Sequence, residues 1–171
     1  MTITWMVEAG ILQDRRVELL VGEIVEMSPE APIHYTTARR GAKYLEQLLL
    51  GKADVRFNGS ITLSDSEPEP DIAIVRLPDS AYSDRHPAFQ DIFWIVEVAK
   101  TSVKKDLEIK SAIYALAAIP EYWVLDLSAQ QMIVFRNPQQ GKYIEEYTLK
   151  EGIITLLTFA GVSVSLERLL T

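Results

Sequence analysis

The chain has 171 residues, 17 Lys and Arg against 24 Asp and Glu, a formal net charge of −7, 48% hydrophobic residues and no cysteine. The apolar fraction is enough for a packed core and excludes a disordered chain. The lack of cysteine excludes a disulfide scaffold and a thiolate zinc site, and the acidity excludes a generally basic nucleic-acid-binding module. The length fits one domain over 1–171. No apolar run reaches the roughly 18–20 residues of a membrane-spanning helix. The start, MTITWMVEAGILQDRR, lacks the basic opening, long apolar centre and small-residue cleavage site of a signal peptide. A cytoplasmic protein is the expectation.

In chain order, residues 3–12 read as a short amphipathic helix. RVELLVGEIVEM (16–27) reads as a hairpin around Val21-Gly22. Residues 33–50 are helical: Ala38, Ala42, Leu45, Leu48 and Leu49, with Tyr35 or Ile33, recur at spacings of three and four, and Gly51 follows as a C-cap. DVRFN (54–58) and SITLS (60–64) flank Gly59 and are expected to pair. DIAIV (71–75) is a strand after an acidic turn, and 77–91 is a loop. FWIVEVA (93–99) is apolar throughout except for Glu97, as suits a strand buried on both faces. Residues 103–118 form a second helix ended by Ile119-Pro120, and EYWVLDL (121–127) is a strand. A helix between those two strands predicts a right-handed parallel crossover. MIVFRN (132–137) and KYIEEYTL (142–149) form a meander, followed by a short strand (153–157) and a helical turn (165–170).

Three residues stand out for chemistry. Glu97 interrupts an apolar strand, and a buried carboxylate costs several kcal/mol unless it is paired or metal-bound. By strand alternation it shares a face with Phe93, Ile95 and Ala99. The plainer readings are a Glu facing solvent at a sheet edge or one paired with a lysine. Asp71 follows Pro70 and opens DIAIV; alone, such an Asp is an ordinary turn residue. On adjacent strands, Asp71 and Glu97 can converge on one hard cation through oxygen ligands. Lys110 shares a helix face with Asp106, Ile113 and Ala117, at the margin of the buried stripe. It either returns over the end of the Glu97 strand, where it can stabilise phosphate charge, or forms an i,i+4 pair with Asp106.

EPEPDIAIV (67–75) followed by FWIVEVAKTSVKKDLEIKSAIYALAAIPEYWVLDL (93–127) resembles the Uma family of "putative restriction endonucleases". That group lies within the PD-(D/E)XK nuclease superfamily. The likeness extends to VELLVGEIVEMSPEAPIH (17–34) and to the MIVFRN meander, nearly the whole chain. It implies an α/β (α+β), restriction-endonuclease-like fold: a four-stranded mixed sheet flanked by helices, with an N-terminal hairpin and a C-terminal β-meander as additions. It makes Asp71 the first acid and Glu97 the second. The superfamily lysine, two residues after the second acid, is replaced here by Ala99. The resemblance implies a migrated lysine on the following helix, Lys110, with Lys100 in reserve should a bulge turn it inward. An upstream acid and histidine match Glu23 and His34; the histidine either contacts phosphate or caps the helix at 33–50.

The implied reaction is hydrolysis of DNA phosphodiesters by a metal-dependent endonuclease. Mg2+ or Mn2+ would be held by Asp71, Glu97 and the Val98 carbonyl, with Lys110 adding fixed positive charge. Arg39, Arg40 and Lys43 on the first helix, and Lys104 and Lys105 beside the site, are candidate phosphate contacts. The alternative is a catalytically silent oligomeric interaction module that retains the fold. A homodimer is expected, with the strands near 93–99 and 132–149 as a self-complementary surface.

Overall fold

A computed structural model describes residues 16–27, 29–100 and 103–170; the side chains of 103–106 lie outside that description. The helix expected at 3–12 also lies outside it. The hairpin is β1 (Val17–Leu20) and β2 (Glu23–Glu26), paired antiparallel from Val17↔Glu26 to Leu20↔Glu23. Its two-residue turn has positive φ at both Val21 (52°) and Gly22 (78°). That backbone matches the strand twist, and it suits glycine but strains a β-branched residue.

After helix α1 (Pro32–Leu48), strands β3 (Asp54–Phe57), β4 (Ile72–Val75), β5 (Ile92–Ala99), β6 (Glu121–Asp126), β7 (Gln131–Gln139) and β8 (Lys142–Leu149) form one six-stranded sheet in chain order. Every neighbouring pair is antiparallel except β5 and β6, which run parallel and are joined through helix α2 (Val103–Leu116), as the crossover predicted. The meander thus extends the same sheet beyond four strands. A small ribbon of β9 (Ile153–Thr155) and β10 (Ser163–Ser165) leads into α3 (Leu166–Leu170). Among the described residues, no helix is long and apolar enough to cross a membrane.

The sheet separates two cores. On one face α1 and α3 set Ala38, Ala42, Leu45 and Leu169 against Ile72, Trp94, Val96, Val98 and Trp123. On the other, α2 sets Ile113 and Tyr114 against Ala73, Ile95, Tyr122, Val124 and Phe135. From Trp94 onward, successive side chains of β5 therefore serve opposite layers, which is why its sequence is apolar apart from Glu97.

Four expectations need correction. Residues 60–64 do not pair with 54–58. Strand β3 pairs with β4, while Ile61 and Leu63 bury their side chains and bond the backbone at Pro68 and Ser66. Strand β4 is buried throughout and needs a neighbour on each side, so it takes the β3 edge. Phe93 does not share the Glu97 face: β4–β5 pairing steps from Ile74↔Trp94 to Val75↔Ile92, leaving Phe93 as an extra residue that packs on the α1 side. Such a bulge resets the alternation. Ile33 and Tyr35 are exposed, because the first turn of α1 presents His34 inward. Finally, residues 93–99 cannot supply a self-complementary surface, since β5 is central in the sheet.

Replacing Val21 by Asn should relieve the positive-φ strain and stabilise the chain by about 1 kcal/mol. The expected readout is a higher urea midpoint with an unchanged denaturant slope.

Candidate active site

Asp71 and Glu97 meet where β4 begins and β5 ends. The Ile72↔Val96 pairing places Asp71, one step earlier, across from Glu97, one step later. The Val98 backbone N–H donates to Asp71 Oδ2 at 2.7 Å. Both acids are nearly covered, at 7% and 9% exposure. From the α2 face, Lys110 Nζ and the Tyr114 hydroxyl each donate to Glu97 Oε1 at 2.9 Å. These residues are one helical turn apart and so present a two-donor clamp. Lys110 also donates to Glu18 Oε1 at 3.1 Å, and that oxygen accepts the Glu69 backbone N–H at 2.9 Å. Glu69 in turn takes Arg16 at 2.6 Å. Charge pairing therefore runs from the hairpin to the central strand.

The other side of Asp71 belongs to α1. Pro32 opens the helix, and His34 in its first turn places Nε2 3.3 Å from Asp71 Oδ2. Its Nδ1 lies 3.8 Å from Glu30 Oε2. Glu30 Oε1 is held by Arg16 at 3.3 Å and Asn58 Nδ2 at 3.4 Å. Metal-ligating atoms of Glu30, His34 and Asp71 all lie within 4.8 Å of one another.

Burial pushes the Glu97 carboxyl up to about 7; Lys110 opposes that, while the charges of Asp71 and Glu18 add to it. Burial pulls Lys110 down, but Glu97 and Glu18 outweigh it and hold the ammonium above the ordinary lysine range. Burial raises Tyr114 as well, so its hydroxyl remains a donor. Asp71 raises His34, mainly through their hydrogen bond, against the effect of burial. Glu97 Oε2 and Asp71 Oδ1 accept no hydrogen bond among the described residues. Each acid thus keeps one carboxylate oxygen without a hydrogen-bond donor. Carboxylate oxygens are the ligand type that suits a hard divalent cation.

The family model described as "Putative restriction endonuclease", Uma2, matches residues 8–167. The chain belongs to the Uma2 family. No curated protein matches it. A crystal structure described as "a putative nuclease belonging to DUF820" from Anabaena variabilis shares its fold, with a TM-score of 0.74 at 17% identity, covering 92% of this chain and 91% of that one.

Of the residues singled out from the sequence of this Uma2 protein, Asp71, Glu97, Lys110 and His34 gather at one place, and Val98 supplies an N–H there. Glu23 does not join them: it lies exposed on β2, opposite Leu20. The hairpin acid that reaches Lys110 is Glu18, on β1. The register puts both acids on the same face of the ribbon, Glu23 beside the turn and Glu18 toward the open end, so alternation could not separate them. Tyr114 had one available signal, its spacing of four from Lys110. Glu30 had none, because it precedes the helix. Lys100 is exposed; β5–β6 pairing is regular through Ala99, so no bulge turns it inward. Arg40 and Lys43 are exposed on α1, and the Arg39 guanidinium lies 5.3 Å from the Phe57 ring centroid. Lys104, Lys105 and the proposed Asp106 pairing fall on side chains outside the described residues. In the acidic turn, Glu69 pairs with Arg16, Asp65 accepts the Ser66 hydroxyl and Glu67 accepts the Thr62 hydroxyl, while Asp71 takes the Val98 N–H at the site.

Removing Lys110 leaves two buried carboxylates without their cation. Lys110→Met should cost about 3–5 kcal/mol at pH 8 and less at pH 5, where protons replace the lysine. Urea unfolding at both values checks it. For Glu97 the sign is opposite to that of a salt-bridged surface acid. Its folded pKa lies above the unfolded one, so the folded state binds the proton more tightly. Relative to Glu97→Gln, the wild type should therefore lose stability as pH rises from about 4.5 through about 7 without divalent ions, read as the difference between two melting curves.

Proposed function

We propose that this protein is an endonuclease that hydrolyses DNA phosphodiester bonds with Mg2+ or Mn2+. One observation carries the reading: two nearly buried carboxylates, Asp71 and Glu97, sit at opposed positions on adjacent strands with a lysine on one of them. The family membership supports nucleic acid as the substrate class. The ligands would be Asp71, Glu97 and the Val98 carbonyl. A metal in such a site lowers the pKa of a bound water and stabilises charge on the phosphoryl oxygens.

The chain's own groups do the rest. The Val98 N–H fixes the Asp71 carboxylate in direction. Tyr114 and Lys110 fix Glu97 through one oxygen and leave the other for the cation. Lys110, held charged by Glu97 and Glu18, supplies a positive group that needs no reorganisation when phosphate charge develops. Arg40 and Lys43 on the outer side of α1 offer exposed phosphate contacts in a chain that is otherwise acidic. Binding is then weak, and salt-sensitive in proportion to those few contacts.

The pairing of Glu97 with Lys110 also favours the second reading, a silent module in which this ion pair only holds the fold together. Cleavage separates the two. Supercoiled and linear DNA should be cut with Mg2+ or Mn2+ and spared with chelator. Asp71→Asn and Glu97→Gln should each lower the rate by about 100-fold or more. Equal cleavage by Glu97→Gln would refute the site. A wild type that neither cuts nor binds either ion would establish the silent module.

A further inference from the structure

We infer that Tyr35, braced by Phe57 and Arg39, is a platform on which an unpaired nucleobase stacks, so that the strand delivered to Asp71 and Glu97 is single-stranded. The inference rests on the nucleic-acid reading above and names the kind of strand that the same site takes.

Three observations carry it. The first is a held, half-exposed ring. Tyr35 is 49% exposed in the first turn of α1, next to the histidine that reaches Asp71. It meets Phe57 edge-to-face, with centroids 5.5 Å apart and planes at 74°. The Arg39 guanidinium lies over Phe57, 5.3 Å from its centroid. Phe57 is partly buried between these neighbours, which leaves Tyr35 as the ring open to a base. A ring held in this way has little rotamer freedom left to lose on binding.

The second is the tie between platform and acids. Phe57 pairs with Ile72, the residue after Asp71. Asn58 follows, and its backbone N–H donates to the Asp71 carbonyl at 3.0 Å while its side-chain amide donates to Glu30 at 3.4 Å. Asn58 takes φ 47°, a left-handed conformation that asparagine adopts more readily than most residues. The ring and the acids are therefore joined through one short stretch of backbone.

The third is local charge. Helix α1 carries Arg39, Arg40 and Lys43 against one carboxylate, Glu46, in a chain of net charge −7. Tyr35, Arg39 and Lys43 recur every four residues, in steps of about 6 Å along the helix. An aromatic ring followed by cations is how proteins hold single strands: every base offers a π-face, and the cations track the phosphates. In an intact duplex those faces are already stacked, and exposing one costs free energy.

Binding in chelator, where the proposed cleavage is off, tests the platform. The wild type should hold a dT strand of about 12 nucleotides roughly tenfold more tightly than a blunt duplex of that length. It should also prefer that strand to one with abasic positions. Tyr35→Ala should weaken the dT strand by about tenfold and leave the duplex unchanged, and Tyr35→Phe should keep the wild-type affinity. In Tyr35→Trp, the fluorescence added over wild type should be quenched by the dT strand and not by the abasic one. Equal wild-type affinity for strand and duplex overturns the inference, independently of how any variant folds. So does a Tyr35→Ala protein with unchanged single-strand affinity. If Mg2+-dependent cleavage persists in either case, the endonuclease reading stands and only the platform falls. Tyr35-dependent binding of single strands by a protein that cuts no DNA would support the platform and refute the endonuclease.

Discussion

The ammonium of Lys110, buried between Glu97 and Glu18, joins three parts of the chain that otherwise share little. It comes from α2, Glu97 from the central strand, and Glu18 from the N-terminal hairpin. A lysine in that position is stable only because two carboxylates outweigh its desolvation, and they tolerate burial only because it is there. The pairing fixes the azimuth of α2 over the sheet and brings Tyr114 onto the same carboxylate. It also anchors the hairpin, which is a separate two-stranded ribbon, to the sheet end. The candidate chemistry and the local architecture thus depend on one buried charge cluster.

Asp71 turns that cluster into a site with two sides. Strand β5 sends Val96 and Val98 toward α1, and Ile95 and Glu97 toward α2. Asp71 sits across from the last of these and takes the Val98 N–H. The helix below offers lysine and tyrosine; the helix above offers histidine, with Glu30 beside it. Such convergence occurs only at a strand end, where side chains from both layers can pass the edge of the sheet. Further along β5 the same alternation is filled by Trp94 on one face and Ile95 on the other, and the layers are sealed from each other.

The net charge of −7 takes on a more local meaning in this setting. Part of the acid excess is internal. Glu18, Glu97 and Asp71 cluster with one lysine and one histidine, and Glu121 is buried against Arg136 and the Trp123 indole. Such acids contribute less to the outer field than their number suggests. The exposed positive residues of α1 therefore act against a weaker repulsion than the composition alone implies.

Much of the fold was legible in the sequence, because periodicity is a local property. The hairpin turn at Val21-Gly22, the leucine face of the first helix, the apolar run of β5 and the crossover to β6 each follow from residues close in sequence, whose burial requires those elements. The same run exposed Glu97 as an anomaly, and the Uma resemblance placed Asp71 and Lys110 beside it. Partnership was not legible. The exchange of Glu23 for Glu18, the recruitment of Glu30 and Tyr114, the inward turn of His34 and the bulge at Phe93 depend on which segments meet across tens of residues. Local pattern determines what must be buried. Only the packing of hairpin, sheet and helices decided which polar groups share that burial, since a buried charge is stable only beside partners that distant segments bring to it.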